Sequence, residues 1–68
     1  MITLGTLIYN VIAPLQDVEI FSHSTGKIYL GRAEYFRKRT NHEYDDYLVD
    51  AVYTVSSDDI ICISVSEV

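Results

Sequence analysis

The sequence has no tryptophan, one proline, one cysteine and three glycines among its 68 residues. Because Cys62 is alone, an intrachain disulfide and a zinc site completed by thiolates are excluded, and a reducing compartment is favoured. Residues 1–14 lack the positive charges of a signal peptide, and no apolar run approaches the ~20 residues of a transmembrane helix. We therefore expect a cytoplasmic protein.

Length and apolar content set the size of the core. A chain this short buries only roughly 60 % of its unfolded surface and has apolar residues for one core. Its hydrophobic fraction of 49 % is too high for a disordered chain. The sequence predicts a single folded domain over residues 1–68.

Basic residues are few and confined to one window of the chain. Ten Asp and Glu outweigh five Lys and Arg, which gives a net charge of −5. The basic residues are Lys27, Arg32, Arg37, Lys38 and Arg39, and every charged residue from Thr40 onward is acidic. This charge disfavours nonspecific binding to phosphate backbones and suits a partner with a basic surface.

The N-terminal segment has the periodicity of an amphipathic helix. Its apolar residues recur at i, i+3, i+4, i+7 and i+8: Leu4, Leu7, Ile8, Val11 and Ile12. Thr3 stands where an N-cap belongs, and Pro14 marks the end. Gly5 and the β-branched residues lower helix propensity, so this helix must be stabilised by docking on the rest of the fold.

Two β-hairpins follow in the sequence. The first, DVEIFSHSTGKIYLGR, has Gly26 in its turn, where a left-handed residue is needed. The second, YLVDAVYTVSSDDIICISVSEV, has its turn at 56–59. Strict alternation predicts that one face of the second hairpin carries Val49, Ala51, Tyr53, Val55, Ile61, Ile63 and Val65, with Ile60 and Cys62 on the other face.

These elements predict an α+β domain. The N-terminal amphipathic helix packs on a four-stranded antiparallel sheet made of the two hairpins. The connection EYFRKRTNHEYDDY, residues 34–47, is long for a bare loop, so we expect a short helical turn in it, around HEYDDYLV. The i, i+3, i+4 spacing of Tyr44, Tyr47 and Leu48 would rest that turn on the sheet.

The order of these parts resembles a loose group of small proteins of Gram-positive bacteria and their phages or mobile elements. The shared pattern is a T-L-x-x-L helix, a V-x-I strand, a glycine turn, a short strand, a Tyr-Leu turn and an acidic bend before an I-x-I strand. It falls here on Thr3, Leu4, Leu7, Val18, Ile20, Gly26, Tyr29, Leu30, Tyr47, Leu48, Ser57, Asp58, Asp59, Ile61 and Ile63. Residues 34–41 are longer and more basic than the pattern. The group has no assigned activity, so the resemblance implies architecture and supplies no catalytic residue.

Neither metal binding nor catalysis is indicated by the spacing of the polar residues. His42, Glu43, Asp45 and Asp46, with His23, are acceptable metal ligands, but their spacing matches no recognised metal motif. Adjacent carboxylates point apart on a strand or a helix, and the chain has no glycine-rich phosphate loop. We expect no catalytic residue, no cofactor and no metal.

Protein binding is the function that the sequence favours. Six tyrosines and two phenylalanines exceed what so small a core can bury, and tyrosine is enriched at interfaces. The predicted interaction surface lies in the connection and consists of Tyr35, Phe36, Arg37, Lys38, Arg39, His42, Tyr44, Asp45, Asp46 and Tyr47. The partner is either another protein or a second copy forming a homodimer.

An alternative function uses the basic cluster of Arg37, Lys38 and Arg39. Its residues alternate loosely with Tyr35 and Phe36, and such a pattern suits a small nucleic-acid-associated protein, because bases stack on aromatic rings while cations contact phosphates. Neither a membrane nor a small-molecule substrate is indicated.

Overall fold

The computed structural model describes residues 2–39, 41–55 and 59–67. The chain forms a first helix, α1, whose α-helical turn Leu4–Thr6 continues as a π-helix at Leu7–Val11. The remaining elements are β1 (Asp17–Ser22), β2 (Gly26–Arg32), α2 (Ala33–Lys38), β3 (Leu48–Thr54) and β4 (Ile60–Ser66). Among these residues, no helix is long and apolar enough to cross a membrane.

Helix α1 begins where the sequence predicts. Thr3 is the N-cap, and its side-chain oxygen accepts a hydrogen bond from Thr6 N. Over the last five residues the turn widens, so that Ile12 N donates to Leu7 O, five residues back. This wider turn rotates Val11 out to solvent, with 63 % of its surface exposed, although the 3.6-residue pattern assigns it to the buried face.

The prediction of a purely antiparallel sheet is wrong. Both predicted hairpins form, but the strand order is β2-β1-β4-β3, with β1 and β4 running parallel at the centre. A central strand must bury both faces, and β4 does so over Cys62–Val65. By contrast, β2 contains two glycines and two basic residues and β3 contains Asp50, so both suit the edges of the sheet.

This strand order accounts for the length of the connection between the hairpins. Strand β2 ends at one edge of the sheet, level with Ile60 of β4, whereas β3 begins at the other edge and at the opposite end, beside Ser66. The connection must therefore cross three strand spacings, about 14 Å, and also run the length of a strand, about 20 Å. Its helix is α2, directly after β2, and not the segment around HEYDDYLV. There the chain makes turns instead, in which Asp45 N donates to His42 O and Tyr47 N to Tyr44 O.

A β-bulge in β3 overturns the predicted face of that strand. Val49 pairs with Val65, but the next paired residue, Ala51, lies opposite Ser64, so Asp50 is the extra residue. Beyond the bulge, Val52 and not Tyr53 shares the face of Ile63. Strict alternation cannot reveal such an insertion. The predicted turn at 56–59 lies outside the described residues except for Asp59.

One apolar core lies between the sheet and the two helices. Its fully buried residues come from α1, from the inner strands and from α2, which contributes Ala33, with Phe36 of α2 at 2 % exposure. Gly26 has φ +83° in the first hairpin turn, the left-handed conformation that the sequence predicts there. Within residues 2–39, 41–55 and 59–67, no helix packs on the opposite face of the sheet, and on it lie the buried Cys62 and Ser64.

Candidate functional site

The predicted interaction surface divides into a buried part and an exposed part. Tyr35 is 58 % exposed on α2, whereas Phe36 enters the core and its ring lies 5.0 Å from that of Tyr29. Because neighbouring residues on a helix cannot share a face, only one of the two aromatic side chains can reach a partner. Lys38 is exposed, with its ammonium 3.9 Å from Glu34.

Arg37 forms hydrogen bonds with the C-terminal end of helix α1. Its Nε donates to Ile8 O at 2.8 Å, and its Nη2 donates to Ile12 O. The widened last turn of α1 leaves backbone carbonyls without helical partners, and a guanidinium can satisfy two of them at once. Arg37 therefore holds α2 against α1.

A polar network centred on Asp45 fixes the next part of the connection. Its carboxylate accepts from Arg39 Nη2 at 2.9 Å and from Tyr9 OH at 3.0 Å, and it lies 3.1 Å from His42 Nδ1. The Arg39 guanidinium also stacks on Phe36, 4.0 Å from the ring centre. Four side chains that the sequence assigns to an interaction surface, Phe36, Arg39, His42 and Asp45, thus make contacts within the chain.

The backbone of α1 touches this network at Gly5. Gly5 N donates to Asp45 O at 2.9 Å, and a Cβ built on Gly5 would lie 3.1 Å from that oxygen and 3.2 Å from Asp45 Cβ. Only a residue without a side chain lets the two segments approach so closely.

Replacing Gly5 with alanine should therefore destabilise the protein by about 1 kcal/mol, although the same change in an open helix is stabilising by a similar amount. The matched control is Asn10→Ala, at an exposed position of the same helix, where we expect little change. Urea denaturation of both variants measures the difference. A more stable Gly5→Ala variant would show that the contact with Asp45 imposes no close-packing constraint.

Tyr9 gives the network a dependence on pH. Burial, and then its hydrogen bond to Asp45, raise the pKa of Tyr9 above the ordinary 10.0. Because the unfolded chain loses this proton at lower pH than the folded chain does, the contribution of Tyr9 to stability is complete below pH 10 and is lost as the pH rises through the folded pKa.

The stability difference between the parent protein and a Tyr9→Phe variant should accordingly be about 1 kcal/mol at pH 8 and shrink above pH 10. Urea denaturation at pH 8, 9, 10 and 11 measures it. Tyr35→Phe, which removes an exposed hydroxyl, serves as the control. A difference that stays constant across this range would contradict the assigned role of the Tyr9 hydroxyl.

An acidic pocket lies beside the network, on the outer side of the turns at 43–46. It has a volume of about 330 Å³ and is lined by Glu43, Asp46, Tyr47 and Glu67. Tyr47 OH donates to Glu67 at 3.3 Å, and burial together with the charge of Glu67 raises the pKa of Tyr47. Among the residues that the structure describes, the pocket wall contains three carboxylates and no basic group.

Of the pocket residues, Asp46 and Tyr47 belong to the predicted interaction surface, and the other two do not. Glu43 adjoins that surface in sequence, so its inclusion was within reach of sequence reasoning. Glu67 directly follows β4, and Tyr9, in the Asp45 network, comes from α1. No local pattern brings them there, because their proximity depends on the strand order.

The basic cluster is largely occupied within the chain. Arg37 binds carbonyls and Arg39 binds Asp45, which leaves Lys38 as the exposed member of the three. Nucleic-acid binding stays a prediction, and salt-dependent retention on DNA or RNA would test it. Lys38→Ala is the informative variant, because substitution of either arginine would also disturb the fold.

A serine, a histidine and an aspartate meet at one corner of the sheet. Ser64 Oγ lies 3.1 Å from His23 Nε2, and Asp50 Oδ2 lies 3.7 Å from the same nitrogen. In a Ser-His-Asp catalytic triad the serine and the carboxylate contact different nitrogens of the histidine ring, so these three residues do not form a triad. Among the described residues, no group of three His, Cys, Asp or Glu side chains is placed to hold a metal ion.

The fold is that of a small α+β domain with a mixed four-stranded sheet and short helices on one face. Comparison with protein-family models, with curated proteins and with solved structures found no match. The resemblance to small proteins of Gram-positive bacteria and phages therefore stays a prediction.

Proposed function

We propose that this chain is a small, non-enzymatic protein-interaction domain whose acidic pocket receives a basic side chain of a partner protein. The proposal includes a cytoplasmic location, which a free and buried Cys62 thiol supports. An origin in a phage or mobile element is part of it and depends on the resemblance in sequence alone.

The observation that carries the proposal is the composition of the pocket wall. Glu43, Asp46 and Glu67 offer carboxylates, and the ring of Tyr47 offers a flat apolar surface beside them. A guanidinium can pair with a carboxylate through two hydrogen bonds and stack on an aromatic ring. The nearby Arg39 cannot neutralise the pocket, because its charge is already paired with Asp45.

Size and charge agree with this ligand. A volume of about 330 Å³ is at the lower end for small-molecule sites and accommodates one long side chain. The net charge of −5 attracts a basic partner at a distance and accelerates its encounter with the pocket. Because the pocket opens to solvent, the attraction should weaken as salt is added.

The experiment uses amide chemical shifts as the readout of binding. A capped pentapeptide with arginine between glycines is titrated into the labelled protein, and its glutamate counterpart is titrated as the negative probe. The arginine peptide should shift the amides of Glu43, Asp46 and Glu67, with smaller shifts at 0.5 M salt. Equal shifts with both peptides would refute a charge-selective pocket.

A matched pair of variants separates the pocket from the overall charge. Glu43→Gln/Asp46→Asn removes two pocket charges, and Asp17→Asn/Asp59→Asn removes two exposed charges elsewhere. The first variant should bind the arginine peptide at least about tenfold more weakly, which corresponds to ~1.4 kcal/mol. The proposal fails if the two variants weaken binding equally.

A further inference from the structure

The outer edge of β3 is only partly covered by the chain's own backbone. At the start of the strand, Leu4 N donates to Tyr47 O at 2.7 Å and Val49 N donates to Ile2 O at 3.0 Å. The N-terminal segment then turns into α1. Within the described part of the chain, no backbone group pairs with this edge beyond Val49, and β3 is the last strand in the sheet order.

The ladder with β4 fixes which groups of β3 point outward. Val49 donates outward, so its pair with Val65 is one of the pairs that exchange no hydrogen bonds with each other. Hydrogen-bonded and non-hydrogen-bonded pairs alternate along an antiparallel ladder. The next pair after the bulge, Ala51 opposite Ser64, is therefore hydrogen-bonded, and the pairs of Val52 with Ile63 and of Thr54 with Ile61 are not. The main-chain N–H and C=O groups of Val52 and Thr54 therefore face the open edge.

Beyond the bulge at Asp50, this open edge has none of the charges or prolines that keep edge strands apart. Residues 51–55, AVYTV, carry no charge and no proline. Val52, Tyr53 and Val55 are 49 %, 46 % and 45 % exposed. The opposite edge, β2, carries Lys27 and Arg32, charges of the kind that natural edge strands use against pairing with other chains.

We propose that this edge pairs antiparallel with the same edge of a second copy, about a two-fold axis at Tyr53. In that register Val52 lies opposite Thr54 of the second copy, so the outward groups form two hydrogen-bonded pairs that flank the axis. Ala51 lies opposite Val55 of the second copy. The two Tyr53 side chains meet at the axis on the sheet face without helices, as a cross-strand aromatic pair.

The lack of charge in residues 51–55 favours a second copy as the occupant of this edge. Two acidic chains repel each other, but this symmetric register brings together a segment of each chain that carries no charge. A strand with basic residues would instead be attracted to the acidic pocket, because the pocket has carboxylates and residues 51–55 have no carboxylate. The inference goes beyond the proposed function and uses none of the residues that line the pocket.

Strength and salt dependence follow from the same geometry. One pair of short strands buries much less than the roughly 1,200 Å² of a stable interface, so the dissociation constant should lie between about 10 µM and 1 mM. Salt screens the repulsion between the two acidic copies, so dimerisation should strengthen as salt is added. Binding of a basic peptide to the acidic pocket should instead weaken as salt is added, so the opposite salt dependences distinguish the two proposals.

Sedimentation equilibrium of the full chain up to 1 mM measures the association. Val52→Lys places a charge at the proposed edge, and Leu30→Lys is the matched control, an apolar residue of the other edge strand with 51 % exposure against 49 % for Val52. We expect Val52→Lys to weaken dimerisation at least tenfold and Leu30→Lys to leave it unchanged. A monomeric parent protein at 1 mM, or equal effects of the two variants, would overturn the proposal.

Disulfide trapping tests the register itself. Residues directly opposite in an antiparallel pair without mutual hydrogen bonds have Cα atoms about 4.5 Å apart, within the range of a disulfide. Tyr53→Cys should therefore oxidise to a covalent dimer, whereas Val52→Cys and Leu30→Cys should not. All three are made with Cys62→Ala, because Cys62 lies opposite Tyr53 in the same chain. Equal trapping at all three positions would refute the two-fold axis at Tyr53.

Discussion

Replacing Ile63 with alanine should lower the free energy of unfolding by about 3 to 4 kcal/mol. Ile63 is fully buried in the central strand β4, beside Ile20 of β1. Truncation leaves a cavity between the sheet and the helices, which neighbouring strands cannot close without losing their register. A domain of this size has a total stability of only ~3–10 kcal/mol, so a large fraction of the variant should be unfolded near body temperature.

The matched control is Val52→Ala, since Val52 is the cross-strand partner of Ile63 on the same face of the sheet. Val52 is half exposed, and its truncation should cost less than about 1 kcal/mol. Thermal unfolding followed by circular dichroism, at a concentration too low for association, compares the two. Similar losses of stability would show that the core does not lie over the centre of the sheet.

Replacing Asp45 with alanine should cost about 2 to 3 kcal/mol, a large effect for a residue of a surface turn. The change removes acceptors from Tyr9 and Arg39, and it leaves the guanidinium beside Phe36 without a counter-charge. The figure lies below that for a fully buried ion pair, because both side chains are about one-fifth exposed.

Asp46→Ala is the control for this prediction, because it removes the adjacent carboxylate from an exposed position. We expect a change within about 0.5 kcal/mol. Urea denaturation at pH 7 measures both variants, and Asp45→Asn adds a third value between them, since an amide oxygen still accepts from Tyr9. Equal stability of the two alanine variants would contradict the prediction that the contacts of the Asp45 carboxylate stabilise the fold.

Much of the fold could be predicted because local chemistry decides it. The N-cap at Thr3, the turn at Gly26 and both hairpins follow from side chains close in sequence. The strand order does not, because it depends on which strands can bury both faces, a comparison between elements far apart in the chain. The bulge at Asp50 could not be predicted either, because it is defined by the pairing of β3 with β4 and not by the sequence of β3 alone.

The sequence predicts which segment supplies part of the candidate pocket, but not what most of its side chains contact. The charge switch lies in residues 34–47, and of the predicted surface residues Asp46 and Tyr47 line the pocket. Sequence reasoning treats Arg37 and Arg39 as available cations because their acceptors are invisible to it. Those acceptors are the carbonyls of a widened helix end and a carboxylate positioned by a turn, and both exist only after the chain has folded.

The parallel pairing of β1 with β4 has a consequence for the order of events during folding. Each hairpin closes a short loop and can form early, but Asp17 reaches Ile60 only when residues 18–59 between them form a closed loop. We therefore expect the contacts between β1 and β4 to form after those within each hairpin, because they close a longer loop. Until then the hairpins expose the inner edges of β1 and β4, which makes the half-assembled chain the species most prone to aggregate.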